Sequence, residues 1–328
     1  MNKNIIQVKG LKKTFFSFKK SGGIMASVKD FFNRQVVVTE AVKEISFDIE
    51  EGEFVGFLGP NGAGKTTTLK MLTGILTPTG GEATVLGHVP WKRKNEYKKQ
   101  FSLIMGQKNQ LWWDLPPMDS YELFKHMYEI PEKQYKKTLD MLTELMGMED
   151  LVNIPTRKMS LGQRMKAELI GALLHSPKVL FLDEPTIGLD VIAQKTIRDF
   201  LKQYNKETKA TIILTSHYME DIRQLAKRVI IIDHGAILYD GSYKKLTENF
   251  ANEKMIDLSL SKEVSKSEIK SFGKVISCHD GKVTLSVPRK DSNKVITDIM
   301  NKLPVEDISV HEKPMEDLIA DIFTRKHV

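Results

Sequence analysis

The chain has 328 residues, 41% of them hydrophobic and 28% charged, proportions that argue against a disordered, collagenous or membrane-embedded protein. Its one cysteine, Cys278, excludes an intramolecular disulfide and a cysteine metal cluster, and its expected role is that of a small core residue. The net charge of +7 lies upstream, because thirteen basic and thirteen acidic residues cancel from Glu253 onward, and it permits an anionic partner without requiring one.

From Ile5 to about Gly241, short apolar runs alternate with amphipathic stretches, which predicts parallel strands joined by helices in an α/β layer. Phe54 to Leu58, Phe101 to Met105, Val179 to Leu182 and Thr211 to Leu214 have strand length, and each leads into a chemically unusual residue. Ligands gather at such strand ends. Between Met118 and Met148, Leu123, Met127, Leu139, Leu142 and Leu145 fall at mostly helical spacing and Pro131 breaks the run, so a helical insert is expected. Val229 to Ile232 is a further strand-length run. No stretch nears the roughly 18 apolar residues of a membrane span, and Lys9 interrupts the start before a signal peptide forms, so a cytoplasmic chain is expected.

Beyond Asn252 the pattern changes. A strand at Met255 to Leu260 and a hairpin from Val275 to Val287, turned by Asp280-Gly281, precede two amphipathic helices. One helix carries Val295, Ile296, Ile299, Met300 and Leu303; the other starts at Pro314 and carries Met315, Leu318, Ile319, Ile322 and Phe323. A small separate α+β domain over 253–328 is expected.

Gly59 to Thr66 reads G-P-N-G-A-G-K-T, directly after an apolar strand and directly before a helical stretch, which is the setting of a phosphate loop. Gly59, Pro60, Asn61, Gly62, Ala63 and Gly64 form the loop, whose glycines let backbone N–H groups face phosphates. The helix start at Lys65, Thr66 and Thr67 adds a positive end, Lys65 neutralises β and γ oxygens, and the Thr66 hydroxyl is a Mg²⁺ ligand. The plain alternative is a glycine turn with a solvated lysine. Asp183-Glu184 follows the strand Val179 to Leu182 and is stopped by Pro185; the aspartate suits outer-shell coordination of Mg²⁺ and the glutamate suits orienting and deprotonating an attacking water, the plain alternative being two solvated acids in a turn. His217, in T-S-H, is placed to contact a γ-phosphate, although a lone histidine is usually structural. Gln107 ends the strand begun at Phe101 and offers an amide oxygen to Mg²⁺ or water, with Gln110 a rival three residues on. Ser160 and Gln163 fit an S-x-x-Q capping box ahead of a helix running to about His175, while the bare Gly162 makes the same helix start an anion site open to another subunit.

With G-P-N-G-A-G-K-T, Gln107, S-L-G-Q, V-L-F-L-D-E-P, G-L-D at Gly188 to Asp190 and His217 in this order, the chain resembles the ATPase subunit of an ABC transporter over roughly residues 5 to 245. The resemblance implies an α/β P-loop NTPase domain over 1–250 with a helical subdomain at about 110–165, followed by the small α+β domain. It implies ATP and Mg²⁺ as ligands, Glu184 as general base, His217 and Gln107 as sensors at the reacting phosphate, and Thr66, Gln107 and Asp183 around the metal. Two such domains join head to tail in that family, so Ser160, Gly162 and Gln163 would complete the partner's site and Asp190 would lie at the junction. A homodimer is expected, with a heterodimer the alternative. An integral-membrane permease as a separate chain, a peripheral place on the cytoplasmic face of the membrane, and no nucleic-acid partner are implied as well.

Two departures stand out. Leu161 replaces the first glycine of the family's L-S-G-G-Q, leaving Ser160 and Gly162 in place, and the adenine-stacking tyrosine is replaced by position with Phe15, or its neighbour Phe16. An extra stretch over 17–37 carries Ile24, Met25, Val28, Phe31 and Phe32 on one helical face with Lys19, Lys20, Lys29 and Arg34 around it, fitting a membrane surface, the permease or its own domain. Trp112-Trp113 is a docking patch for the permease or a piece of core, and Lys92 to Lys99 a solvated face. The tail resembles the accessory domain of exporter ATPases, which tilts the expectation toward export. The rival classes are a soluble ABC protein acting on nucleic acid or ribosomes, and a P-loop kinase; the short distance from Lys65 to Ser160 disfavours the first and the S-L-G-Q element the second.

Overall fold

The computed structural model describes residues 4–18, 36–106, 108–216, 218–250, 253–262, 264–279 and 281–313. Chain contacts divide it into two compact units, Met1–Gly241 and Ser242–Val328.

In the first unit, a six-stranded sheet has the order β5-β6-β7-β3-β8-β9. Its centre is formed by β3 (Phe54–Leu58), β6 (Val179–Asp183) and β7 (Thr211–Thr215), every residue of which is buried. Continuous apolar runs of this kind suit strands covered on both faces, and the pairs β3–β7, β3–β8, β5–β6 and β6–β7 are all parallel. β5 (Phe101–Met105), β8 (Arg228–Asp233) and β9 (Ala236–Ser242) complete it. The order places the carboxyl ends of β3, β5, β6 and β7 side by side.

The amino-terminal region departs from the expected parallel pattern. β1 (Asn4–Phe18), β2 (Val36–Glu50) and β4 (Gly80–Val85) form a separate antiparallel sheet in the order β2-β1-β4. Its alternating core side chains, Ile6, Val8, Leu11, Ile45, Phe47 and Ile49, join Phe57, Phe181 and Ile230 of the large sheet in one apolar cluster. Phe16 pairs with Val38 and Phe18 with Val36, so the ends of the stretch assigned to an insert extend a strand ribbon. Its remainder, 19–35, lies outside the described residues.

Helix α1 (Lys65–Leu72) follows β3, and the short α2 (Asn95–Lys98) precedes β5. The expected helical insert is two helices, α3 (Pro117–Met127) and α4 (Glu132–Met146), parted at Pro131. Proline at that point lacks the N–H an interior helical turn needs. α4 ends on Gly147 in the left-handed conformation, a common C-terminal stop. α5 (Leu161–Leu173), α6 (Val191–Thr208) and α7 (Met219–Leu225) complete the unit. Among the described residues, no helix is long and apolar enough to cross a membrane.

His175 follows α5, stacked on the Tyr128 ring at 3.9 Å between centroids, with Nε2 3.2 Å from the Phe101 carbonyl. Its Nδ1 is buried without a partner. Burial therefore holds its pKa down at about 4, against an ordinary 6.5, despite the opposing pull of the Phe101 carbonyl. The unfolded chain binds the proton first as pH falls, so stability is full above about pH 6.5 and is lost down to about pH 4, by roughly 3 kcal/mol. Denaturant midpoints measured across that window in wild type and His175→Gln test this: the substituted chain is expected to lose less with acid, and parallel curves would refute it.

The second unit contains α8 (Tyr243–Phe250), β10 (Glu253–Leu260), α9 (Lys266–Lys270), β11 (Lys274–His279), β12 (Lys282–Pro288), α10 (Ser292–Lys302) and β13 (Val305–Glu312). Its antiparallel sheet runs β11-β12-β10-β13, with Ile256, Leu258, Val283, Leu285, Ile299 and Leu303 in its core and Cys278 packed against them. The expected strand, hairpin and first helix are present; β13 and α9 were not anticipated, and the helix expected from Pro314 lies outside the described residues.

Candidate active site

The loop after β3 is shaped by glycines with positive φ. Gly64 has φ 108°, and a Cβ there would fall 2.5 Å from the Ala41 carbonyl oxygen. Gly59 is barred from a side chain by the Ile232 carbonyl oxygen, 2.1 Å from where its Cβ would stand. These close approaches lock the loop between β2 and β8. Gly64 begins α1 with no side-chain cap, leaving the first backbone N–H groups of the helix to a ligand.

Lys65 is buried, and its Nζ donates to the carbonyls of Gly59 at 2.6 Å and Pro60 at 3.1 Å. The ammonium is thus folded back across the loop it serves. Burial lowers its pKa, and the nearby Glu184 and Asp183 carboxylates oppose that shift.

The Thr66 hydroxyl lies 2.8 Å from Oδ2 and 3.1 Å from Oδ1 of Asp183, joining the start of α1 to the end of β6. The Thr215 hydroxyl, at the end of β7, lies 2.8 Å from Asp183 Oδ1. Glu184 comes next with φ 55°, a left-handed conformation uncommon outside glycine, and its N–H is 3.1 Å from both the Thr215 carbonyl and hydroxyl oxygens. The Gly106 N–H donates to the Asp183 carbonyl at 2.8 Å, and a Cβ at Gly106 would stand 2.1 Å from the Glu184 carbonyl oxygen. A cleft of about 700 Å³ opens here, lined by Asn61, Thr66, Lys70, Asp183, Glu184 and Tyr218 among others.

The donors suit a magnesium nucleotide. One carboxylate and one hydroxyl are hard oxygen ligands, and Mg²⁺ typically takes few protein ligands and completes its shell with phosphate and water. Among the described residues no group of three or more His, Cys, Asp or Glu is placed to hold a metal without such help.

An ABC transporter family model matches residues 42–187, and a model of the EvrA-like ABC transporter C-terminal domain matches 252–311. The ABC transporter ATP-binding protein NatA of Bacillus subtilis is 34% identical over 71% of this chain and 94% of its own length. The chain belongs to the ATP-binding subunits of ABC transporters. It is an ATP-binding ATPase of that family.

The linearmycin resistance ATP-binding protein LnrL of Bacillus subtilis is 29% identical over 91% of this ABC subunit and 97% of its own length, so that likeness spans both units. Among solved structures, cbiO1 from Clostridium perfringens, part of the ABC transporter complex cbiONQ, superposes with a TM-score of 0.61 at 26% identity over 76% of this chain and 94% of that one. A dimeric ATP-binding cassette bound to ADP and phosphate shares the fold, with a TM-score of 0.59 at 22% identity over 72% and 98% of the two chains.

The remaining sequence-derived candidates of this ABC subunit separate into groups. Gln107 and His217 lie outside the described residues. Gln110 turns its amide to the Leu103 carbonyl at 2.7 Å and does not line the cleft. Phe15 lies on β1 opposite Thr39, two residues from the Ala41 that abuts Gly64, and the Lys13 ammonium sits 5.2 Å from its ring centroid. Thr67 is half-buried on α1.

Ser160, Gly162, Gln163 and Asp190 are not among the residues that line the cleft. Ser160 Oγ accepts the Gln163 N–H at 3.2 Å, and the Gln163 side chain accepts the Ser160 N–H at 2.9 Å, so the capping box is formed. At Gly162 a Cβ would stand 2.8 Å from Ala193 Cβ, so a side chain there would press on α6. Asp190 caps α6 through the Ala193 N–H at 2.8 Å. Around these caps Leu161, Val191 and Ile192 project apolar side chains, the last two 77% and 79% exposed.

Sequence reasoning missed Thr215, Gly106 and Asp221. Thr215 is the last residue of the T-I-I-L-T run, where a hydroxyl ending a buried strand is the usable signal. Asp221 is buried on α7, with Oδ1 2.8 Å from Arg198 Nη1, and Oδ2 2.5 Å from the Thr186 hydroxyl and 2.8 Å from the Ser216 hydroxyl. Ser216 Oγ accepts the Tyr218 N–H at 2.9 Å, so the flanks of position 217 are tied to the turn that follows Glu184.

Proposed function

We propose that this ATPase pairs with a second ATPase subunit, identical in the simplest case, and drives a separate integral-membrane permease from the cytoplasmic face of the membrane, in the direction of export. The observation that carries the pairing is the exposed apolar collar of Leu161, Val191 and Ile192 around the Ser160 and Asp190 caps. A second cassette laid head to tail covers that collar and brings the serine-capped helix start to the nucleotide. The names of LnrL and of the probable multidrug ABC transporter ATP-binding protein YbhF of Escherichia coli, 32% identical over 66% of this chain, support export.

Within each site Gly59 to Thr67 would hold the phosphates, Phe15 would stack on the base, and Thr66, Asp183 and Gln107 would be the residues that hold Mg²⁺. Bound Mg²⁺ supplies positive charge that offsets the charge on the β and γ phosphates. Glu184 takes the proton of the attacking water, and His217 and Gln107 orient the γ-phosphate and that water. Thr215 fixes Asp183 and the Glu184 backbone through one hydroxyl. The protein-free side of Trp112 and Trp113, 48% and 46% exposed with the Arg164 guanidinium 4.7 Å from the Trp113 ring centroid, is the surface offered to the permease.

Detergent-solubilised membranes of the source cell test the assembly. Affinity capture of this chain is expected to bring down a polytopic protein and a second ATPase subunit, and Trp113→Ala is expected to weaken recovery of the polytopic chain by about tenfold. Recovery without any membrane protein would overturn the proposal.

A further inference from the structure

Helix α5 carries an acid that neither phosphate binding nor hydrolysis uses. Glu168 is 4% exposed, two turns beyond the Ser160 cap and flanked by Ala167 and Leu169. A carboxylate at such depth is held there only by strong hydrogen bonds. Its partners are backbone groups: the Gln110 N–H lies 2.9 Å from Oε1 and 3.1 Å from Oε2, and the Leu111 N–H lies 3.2 Å from Oε1. Burial raises the Glu168 pKa, and those two N–H groups and Arg164 oppose the shift.

The residues so held close a short connection. At one end Gly106 is bonded to the Asp183 carbonyl and pressed against that of Glu184. At the other, Gln110 and Leu111 are bonded to Glu168, and Trp112 donates its N–H to Ser120 Oγ at 3.2 Å. Gln107 lies between these ends in sequence. The Lys108 N–H is used by the Met105 carbonyl at 2.8 Å, whereas those of Gln110 and Leu111 have the buried carboxylate as acceptor. An apolar residue at 168 would leave both donors unsatisfied.

We propose that Glu168 is a positioning residue that fastens the connection bearing Gln107 to the helix begun at Ser160, so that the metal-side loop and the serine-capped helix start shift as one piece. The inference rests on the reading of Gln107 as a ligand of Mg²⁺ or water. The fastening spans only a carboxylate and two amides, which makes it stiff.

The full-length chain tests this by hydrogen exchange and by ATPase kinetics against Mg²⁺. In Glu168→Ala, exchange at the Gln110 and Leu111 amides is expected to quicken by about tenfold or more, while amides of β6 keep their protection. Turnover is expected to fall about tenfold and the half-saturating Mg²⁺ to rise about threefold, with affinity for a fluorescent ATP analogue held within about twofold. Glu168→Gln keeps Oε1 within reach of both donors, so it is expected to retain about half of the activity with exchange about threefold faster.

Unchanged exchange at residues 110 and 111 in the alanine chain, or in the glutamine chain should the alanine chain not fold, overturns the proposal. So does a normal Mg²⁺ response in Glu168→Ala when Gln107→Ala alters it. A normal Mg²⁺ response in Gln107→Ala itself refutes the reading of Gln107 instead, and exchange at the two amides then still decides whether Glu168 is the fastening.

Discussion

Glu184→Gln is expected to bind ATP as the wild type does and to hydrolyse it about 10²- to 10⁴-fold more slowly, the usual contribution of a positioned general base. The substitution keeps the size of the side chain and removes its ability to accept a proton. The backbone is insensitive to it, because the left-handed turn at 184 is held by the Thr215 carbonyl and hydroxyl through the N–H, and by the close approach of Gly106 to the carbonyl. Lys65 and Thr66, the groups that grip phosphate, keep their bonds to Gly59, Pro60 and Asp183. Nucleotide affinity from equilibrium dialysis and phosphate release under saturating ATP check the two halves separately. If the collar of Leu161, Val191 and Ile192 is the pairing surface, the arrested chain also accumulates as an ATP-dependent dimer on size exclusion. Wild-type turnover would remove Glu184 from the mechanism; lost binding with lost turnover would make it a structural residue.

The chemistry of the cleft was legible where a residue type and a backbone demand coincide. Gly59 and Gly64 are glycines because neighbouring carbonyls leave no room for a Cβ, and the strand ends read from apolar runs at Leu58, Leu182 and Leu214 fall within one residue of the observed ends at Leu58, Asp183 and Thr215. The antiparallel ribbon of β1 and β2 was not legible as such, since K-G-L-K-K-T-F and V-V-V-T-E-A-V alternate too irregularly and the pairing passes through several register shifts. β13 was missed for a similar reason: V-E-D-I-S-V-H-E keeps Ile308 against the core but exposes most of the rest. Glu168, Thr215 and Asp221 escaped because a buried polar residue gives no periodic signal. Its partners lie at sequence separations of 58, 32 and 35 residues, as in Gln110 with Glu168, Asp183 with Thr215, and Thr186 with Asp221, and only the fold brings them together.

Asp221→Ala is expected to destabilise the first unit by about 3–5 kcal/mol, the usual cost of stripping one partner from a buried ion pair. The side chains of Arg198 and Asp221 are 7% and 1% exposed, so neither can turn to water when the other is lost. Truncation leaves the Arg198 guanidinium, whose Nε is already without a partner, as an uncompensated charge, and it frees the Thr186 and Ser216 hydroxyls as well. Replacing both charges, as in Arg198→Met with Asp221→Leu, is expected to recover a large part of the loss, because the isolated charge and not the missing bond is the greater penalty. Trp91, Trp112 and Trp113 all lie in the first unit, so tryptophan fluorescence during urea unfolding reports on it without the second. A loss below about 1 kcal/mol in the single variant would place Asp221 among surface ion pairs in its worth. A double variant no better than the single would show that the two hydroxyls, not the arginine, depend on this carboxylate, and would leave the tie between the turn after Glu184 and Ser216 as its whole purpose.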